Sequence, residues 1–156
     1  MIENPTLMIR KAKAVKAHAE GTSPTPPRGT LRNSHQGIER FVYIDKRNGW
    51  VFKVERPRMA GCGTNKKEYD AYLRGKDLPL FNGDSKFRLP VTTMVEDVIV
   101  QEYIKGRMPG YDEWDKLNYK YAIETALKIG DVHYQNVIEA EAGKFWFVVD
   151  MSFSRV

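Results

Sequence analysis

The sequence predicts an α+β fold. Three observations carry that reading. Stretches rich in β-branched and aromatic residues occur at 40–45, 50–55, 91–95, 98–103 and 145–149. They follow one another through short turns, which is how antiparallel strands are joined. Helix-forming stretches at 6–20, 65–74 and 114–129 separate them rather than alternate with them strand by strand.

Thr6 to Glu20 carries Ala12, Ala14, Ala17 and Ala19 among lysines, all strong helix formers. Its apolar face, Leu7, Met8 and Val15, is thin, so the helix either leans on another surface or frays. Residues 21–30 hold Pro24, Pro26 and Pro27 and read as a linker. The expected organisation is a basic helical arm at 1–20, a Pro-rich linker at 21–30 and one domain at 31–156. The expectation is that the arm is separable. The competing view is that Leu7, Met8 and Val15 dock on the core.

In the domain, Arg40–Asp45 and Trp50–Glu55 flank Asn48-Gly49, a hairpin dipeptide. Alternation places Val51, Lys53 and Glu55 on one face of the second strand and Trp50, Phe52 and Val54 on the other. Asn65 followed by Glu68 resembles a capping box, opening a helix that Gly75 stops. Val91–Val95, the Glu96-Asp97 turn and Val98–Tyr103 form a second hairpin, and Gly106, Pro109 and Gly110 mark a loop. Trp114–Ile129 reads as one helix with Leu117, Tyr121, Ala122, Leu127 and Ile129 inward. Val137-Ile138, a turn at 141–144 and Phe145–Val149 close the chain as a hairpin.

Composition bounds the function. The chain has 156 residues and a formal charge of +5. Residues 1–33 contribute Arg10, Lys11, Lys13, Lys16, Arg28 and Arg32 against Glu3 and Glu20. Such a segment suits a host or partner protein, a nucleic acid, or simply solvent. No aromatic residue lies between Met1 and Gln36, so the segment offers no stacking platform for single strands. No apolar run is long enough for a membrane span, and the first 20 residues lack a secretory signal, so a cytoplasmic protein with no membrane association is expected. Cys62 is the one cysteine and the histidines number three, which argues against disulfides and His/Cys metal clusters. Cys62 lies before a helix start, where a thiol can be activated, or it is a small residue in a bend.

The densest constellation is Gly130-Asp-Val-His-Tyr-Gln-Asn136, followed by a hairpin ending Val148-Val-Asp150. Asp131 and Asn136 have four residues between them, and Asp150 ends an apolar strand. Each acid or amide taken singly also suits a turn or a strand end. Together they resemble the catalytic loop and second metal-binding Asp of the protein-kinase-like superfamily, in its aminoglycoside and choline phosphotransferase branch. The resemblance implies a kinase-like N-lobe with a small antiparallel sheet and one helix, then a truncated C-lobe. It implies ATP and Mg²⁺, with Asp131 catalytic and Asn136 and Asp150 holding metal. Lys53 matches the strand lysine that contacts phosphates; its alternative is a solvent-facing strand lysine. Glu68 matches the helix glutamate that pairs with it; its alternative is a reciprocal cap with Asn65. Val100–Gly106 resembles the hinge, which implies that the Glu102 carbonyl and the Ile104 N–H read adenine.

Two departures supply a rival. The stretch Arg32–Ile38, where the glycine-rich loop belongs, has one glycine, and no later C-lobe helices follow before Val156. A non-catalytic, pseudokinase-like module that binds a partner through its basic segment is the alternative. Frames this short resemble products of compact phage genomes, which implies a host cytoplasm.

Overall fold

The computed structural model describes residues 4–32, 40–57, 62–143 and 145–150. Among these, the helices are α1 (Pro5–Ala19), α2 (Thr64–Gly75), α3 (Tyr111–Leu117) and α4 (Lys120–Leu127). The strands are β1 (Leu31–Arg32), β2 (Arg40–Asp45), β3 (Trp50–Glu55), β4 (Phe87–Arg88), β5 (Thr92–Val95), β6 (Val98–Glu102), β7 (Gly106–Arg107), β8 (Val137–Ala140) and β9 (Trp146–Val148). The fold is α+β. The chain forms two compact units, Met1–Lys66 with Val91–Tyr103, and Lys67–Pro90 with Ile104–Val156. The stretch 31–156, expected as one domain, contributes to both units.

The first unit is an antiparallel sheet in the order β1-β2-β3-β6-β5, with α1 on one face. Period-two alternation explains the packing. Trp50, Phe52 and Val54 of β3 point to the helix, and Tyr43, Val98 and Val100 join them in one buried cluster. The cluster's helical side is Met8, Ala12 and Val15, a stripe at helical spacing. The expectation of a separable arm is therefore corrected. The stripe is thin, but it meets the apolar face of a sheet and so completes a core. Polar contacts fix its position. Lys11 Nζ reaches Asp45 Oδ2 at 2.5 Å, Lys16 Nζ reaches Asp97 at 2.8 Å, and His18 Nδ1 shares a 2.8 Å hydrogen bond with the Tyr43 hydroxyl. Burial pushes the Tyr43 phenol up, against the opposing pull of Arg32.

The proline-rich stretch does not trail as a spacer. Thr22 N–H donates to the Ala17 carbonyl, Thr30 Oγ1 donates to the Pro27 carbonyl at 2.6 Å, and Lys11 Nζ donates to the Arg28 carbonyl. The bend needs Gly29, whose φ is +83°.

The second unit holds the sheet β4-β9-β8-β7, in which β4 and β9 run parallel and the other pairs antiparallel. Its core contains Ala71, Phe81, Phe87, Trp114, Ile123, Leu127, Ile129, Trp146 and Val148. Arg74 ties α2 to the end of α4 by donating through Nε and Nη2 to the Leu127 carbonyl, at 2.9 and 2.7 Å. The helix expected at 114–129 is two helices. Asn118 takes a left-handed conformation, φ 55°, and ends α3. The break resets the helical phase. Tyr121 and Ala122 consequently face solvent, and Ile123 takes the inward place.

Candidate functional site

The loop singled out in the sequence is held at both ends within the second unit. Helix α4 stops at Lys128, which is left-handed with φ 56°, and Asp131 follows with φ 57°. Glu124, buried on α4, accepts the Val132 N–H at 2.9 Å and also pairs with Lys120. The start of the loop is thus gripped by the helix that precedes it. At the other end a short 3-10 turn, Tyr134–Asn136, is capped from inside. His133 N–H donates to Asn136 Oδ1 at 2.8 Å, and Gln135 N–H donates to His133 Nδ1 at 3.1 Å.

Asn136 is 4% exposed, and its carbonyl accepts the Val149 N–H at 2.8 Å. The β8–β9 register, Val137 against Val148, continues into that bond. Asp150 is the next residue, half-buried. The hairpin therefore brings the Asn136 and Asp150 backbones together, whereas Asp131 sits exposed at the loop's entry. The Asn136 amide oxygen has a structural task, the His133 N–H, and keeps a second lone pair. A recess of about 480 Å³ flanks the loop, lined by Trp114 and Asp115 from α3, Asn118 just after it, Lys120 and Glu124 from α4, and Val132–Tyr134.

The other expected residues lie as follows. Lys53, in the first unit, is 5% exposed, which corrects the alternative of a solvent-facing lysine. Its carbonyl accepts from Asn65 Nδ2 at 2.8 Å. Glu68, in the second unit, is fully buried on α2. The cap offered as its alternative is replaced. Glu55 Oε1 takes the Asn65 N–H at 3.0 Å, because β3 ends beside the helix start. The Asn65 side chain instead donates to the Lys53 and Asp97 carbonyls and accepts from Arg40. Glu102 closes β6, donating its N–H to the Val91 carbonyl at 2.8 Å and accepting the Val91 N–H on Oε1 at 3.1 Å. Ile104 opens the following segment in the second unit and is half-buried. Cys62 is exposed. The stretch 33–39, where the glycine-rich loop was expected, Lys144 in the last turn, and Met151 and Ser152 lie outside the described residues.

Sequence reasoning missed Glu124 and Asp45. Glu124 stands between Ile123 and Leu127, an acid on the inward face of its helix. Asp45 stands three residues before Asn48, where a short acidic side chain can accept a backbone N–H of the turn that follows. Both signals were legible.

Among the described residues no group of three or more His, Cys, Asp or Glu could hold a metal ion, and no helix is long and apolar enough to cross a membrane. No family model matches the chain, and no curated protein matches it.

Proposed function

We propose that the protein is an ATP- and Mg²⁺-dependent phosphotransferase of kinase-like fold, acting on a hydroxyl acceptor. The observation that carries this reading is the bond from the Val149 N–H to the Asn136 carbonyl, which sets Asp150 beside Asn136 at the base of the Asp131 loop. An amide oxygen and a carboxylate are hard donors. They fit Mg²⁺, which takes few protein ligands and completes its shell with phosphate oxygens and water. When bound, the ion would neutralise charge on the transferring phosphoryl group. Asp131 is exposed, as a residue that meets an acceptor must be. It would take the hydroxyl proton as the acceptor oxygen bonds to the γ-phosphorus and the bond to the bridging oxygen of ADP breaks. Lys53, buried in the first unit, would supply positive charge to the phosphates, and the Glu102 carbonyl would read adenine. The recess beside Val132–Tyr134 is of a size for a small acceptor.

A second reading, a non-catalytic module that binds a partner protein, is favoured by the Asn136 oxygen already accepting the His133 N–H. Thermal unfolding with Mg²⁺–ATP separates the two. A ligand at 100 times Kd adds about 2.7 kcal/mol to stability, which for a chain of this size raises Tm by about 5–10 °C. Asp150→Asn should shrink the shift. Asp131→Asn should keep the shift and lose phosphoryl transfer. No shift at millimolar ATP overturns the phosphotransferase reading in favour of the binding module.

A further inference from the structure

The first unit contains a second cavity, of about 620 Å³, between α1, the bend at Gly29 and the β2–β3 turn. Arg10 reaches it from the helix, Arg28 from the bend and Arg47 from the turn, with Lys11 and Asp45 at its wall. Each arginine is placed by structure already built for another reason. Helix packing positions Arg10. The Thr30–Pro27 bond and the positive φ of Gly29 set Arg28. The Asp45 carboxylate, which accepts Asn48 N–H at 3.1 Å and Asn48 Nδ2 at 2.8 Å, shapes the turn that bears Arg47.

Asp45 does not neutralise these arginines. It is fully buried and committed to Lys11 and Asn48. Among the described residues the side chains of Arg10, Arg28 and Arg47 have no acidic partner, and the three arginines, all exposed, line one concavity. Three like charges around one concavity raise its positive potential and favour an anion there. Guanidinium forks match phosphate oxygens bidentately. The cavity has the volume of a small-ligand site. No aromatic side chain lines it, so it reads phosphate and not a base stacked on a ring.

We propose that this cavity binds the polyphosphate group of a small ligand. The site lies in the first unit and is independent of the Asp131 loop, so it stands or falls separately from the phosphotransferase reading.

Calorimetric titration of the full chain with sodium tripolyphosphate, and in a second arm with orthophosphate, tests it. One saturable site per chain is expected, tighter for tripolyphosphate and weakened by added salt. Arg28→Gln and Arg47→Gln, both at exposed positions, should each weaken it about tenfold, as loss of a charge-assisted hydrogen bond does. Lys13→Gln, on α1 but outside the cavity, should leave it unchanged. Urea melts of the three variants check that each remains folded. Absence of saturable binding overturns the proposal. So does equal weakening by Lys13→Gln and Arg28→Gln, which would mean diffuse attraction to a basic surface. Displacement of tripolyphosphate by a short DNA duplex, with the same loss in Lys13→Gln, would overturn it in favour of a nucleic acid surface.

Discussion

Replacing Lys11 with methionine tests how α1 is attached. Asp45 is fully buried, and its carboxylate accepts three hydrogen bonds, one from Lys11 and two from Asn48. Lys11→Met keeps most of the stem and removes the ammonium. Leaving a buried charge without its partner costs about 3–5 kcal/mol. Here two bonds remain and Asp45 borders an open cavity, so screening lowers the figure to about 2–3 kcal/mol. Urea melts at pH 7 measure the loss. The pH dependence identifies its cause. Burial raises the Asp45 pKa, but the bonds from Lys11 and Asn48 outweigh it, and the carboxyl lies below its ordinary value. A depressed pKa contributes stability that is complete above the unfolded value, about 3.9, and is lost as pH falls through the folded one. Without Lys11 the burial remains and the folded pKa rises. The stability gap between wild type and variant should therefore be full at pH 7 and narrow as pH falls through the variant's raised pKa. A gap that stays constant with pH would mean that the lysine stem, not its charge, is what stabilises. No loss at pH 7 would refute the docking of α1 altogether.

Two further outcomes are expected. Val15→Ala removes two methyl groups from a fully buried position and should cost about 2 kcal/mol in urea melts, whereas Lys13→Ala on the exposed side should change stability by less than about 0.5 kcal/mol. Gly106→Ala would set a Cβ 2.0 Å from the Glu139 carbonyl oxygen and 2.8 Å from Ile138 Cγ2. It should therefore lose about 1–3 kcal/mol, with amide exchange rising first along β7–β8.

The sequence by itself determined three hairpins, β2–β3, β5–β6 and β8–β9, but not the short strands β1, β4 and β7 or the pairings that join the hairpins into sheets. Arg40–Asp45 and Trp50–Glu55 have a period-two pattern that only one register satisfies, because a one-residue slip would turn Trp50, Phe52 and Val54 to the wrong face. It also determined that Asn136 and Asp150 would be close, since a hairpin with a short turn fixes which residues meet. Tertiary structure decided what local pattern leaves open. Whether Met8, Ala12 and Val15 dock depends on an apolar sheet face distant in sequence, and the helix carries no mark of that partner. The break at Asn118 lies in a stretch whose residues all tolerate helix, and packing of Trp114 and Ile123 into one core selects the bend. Arg10, Arg28 and Arg47 lie far apart in the chain, and a helix, a bend and a hairpin turn bring them to one cavity. Local propensity acts over a few residues, so convergence of this kind follows only from how the elements pack.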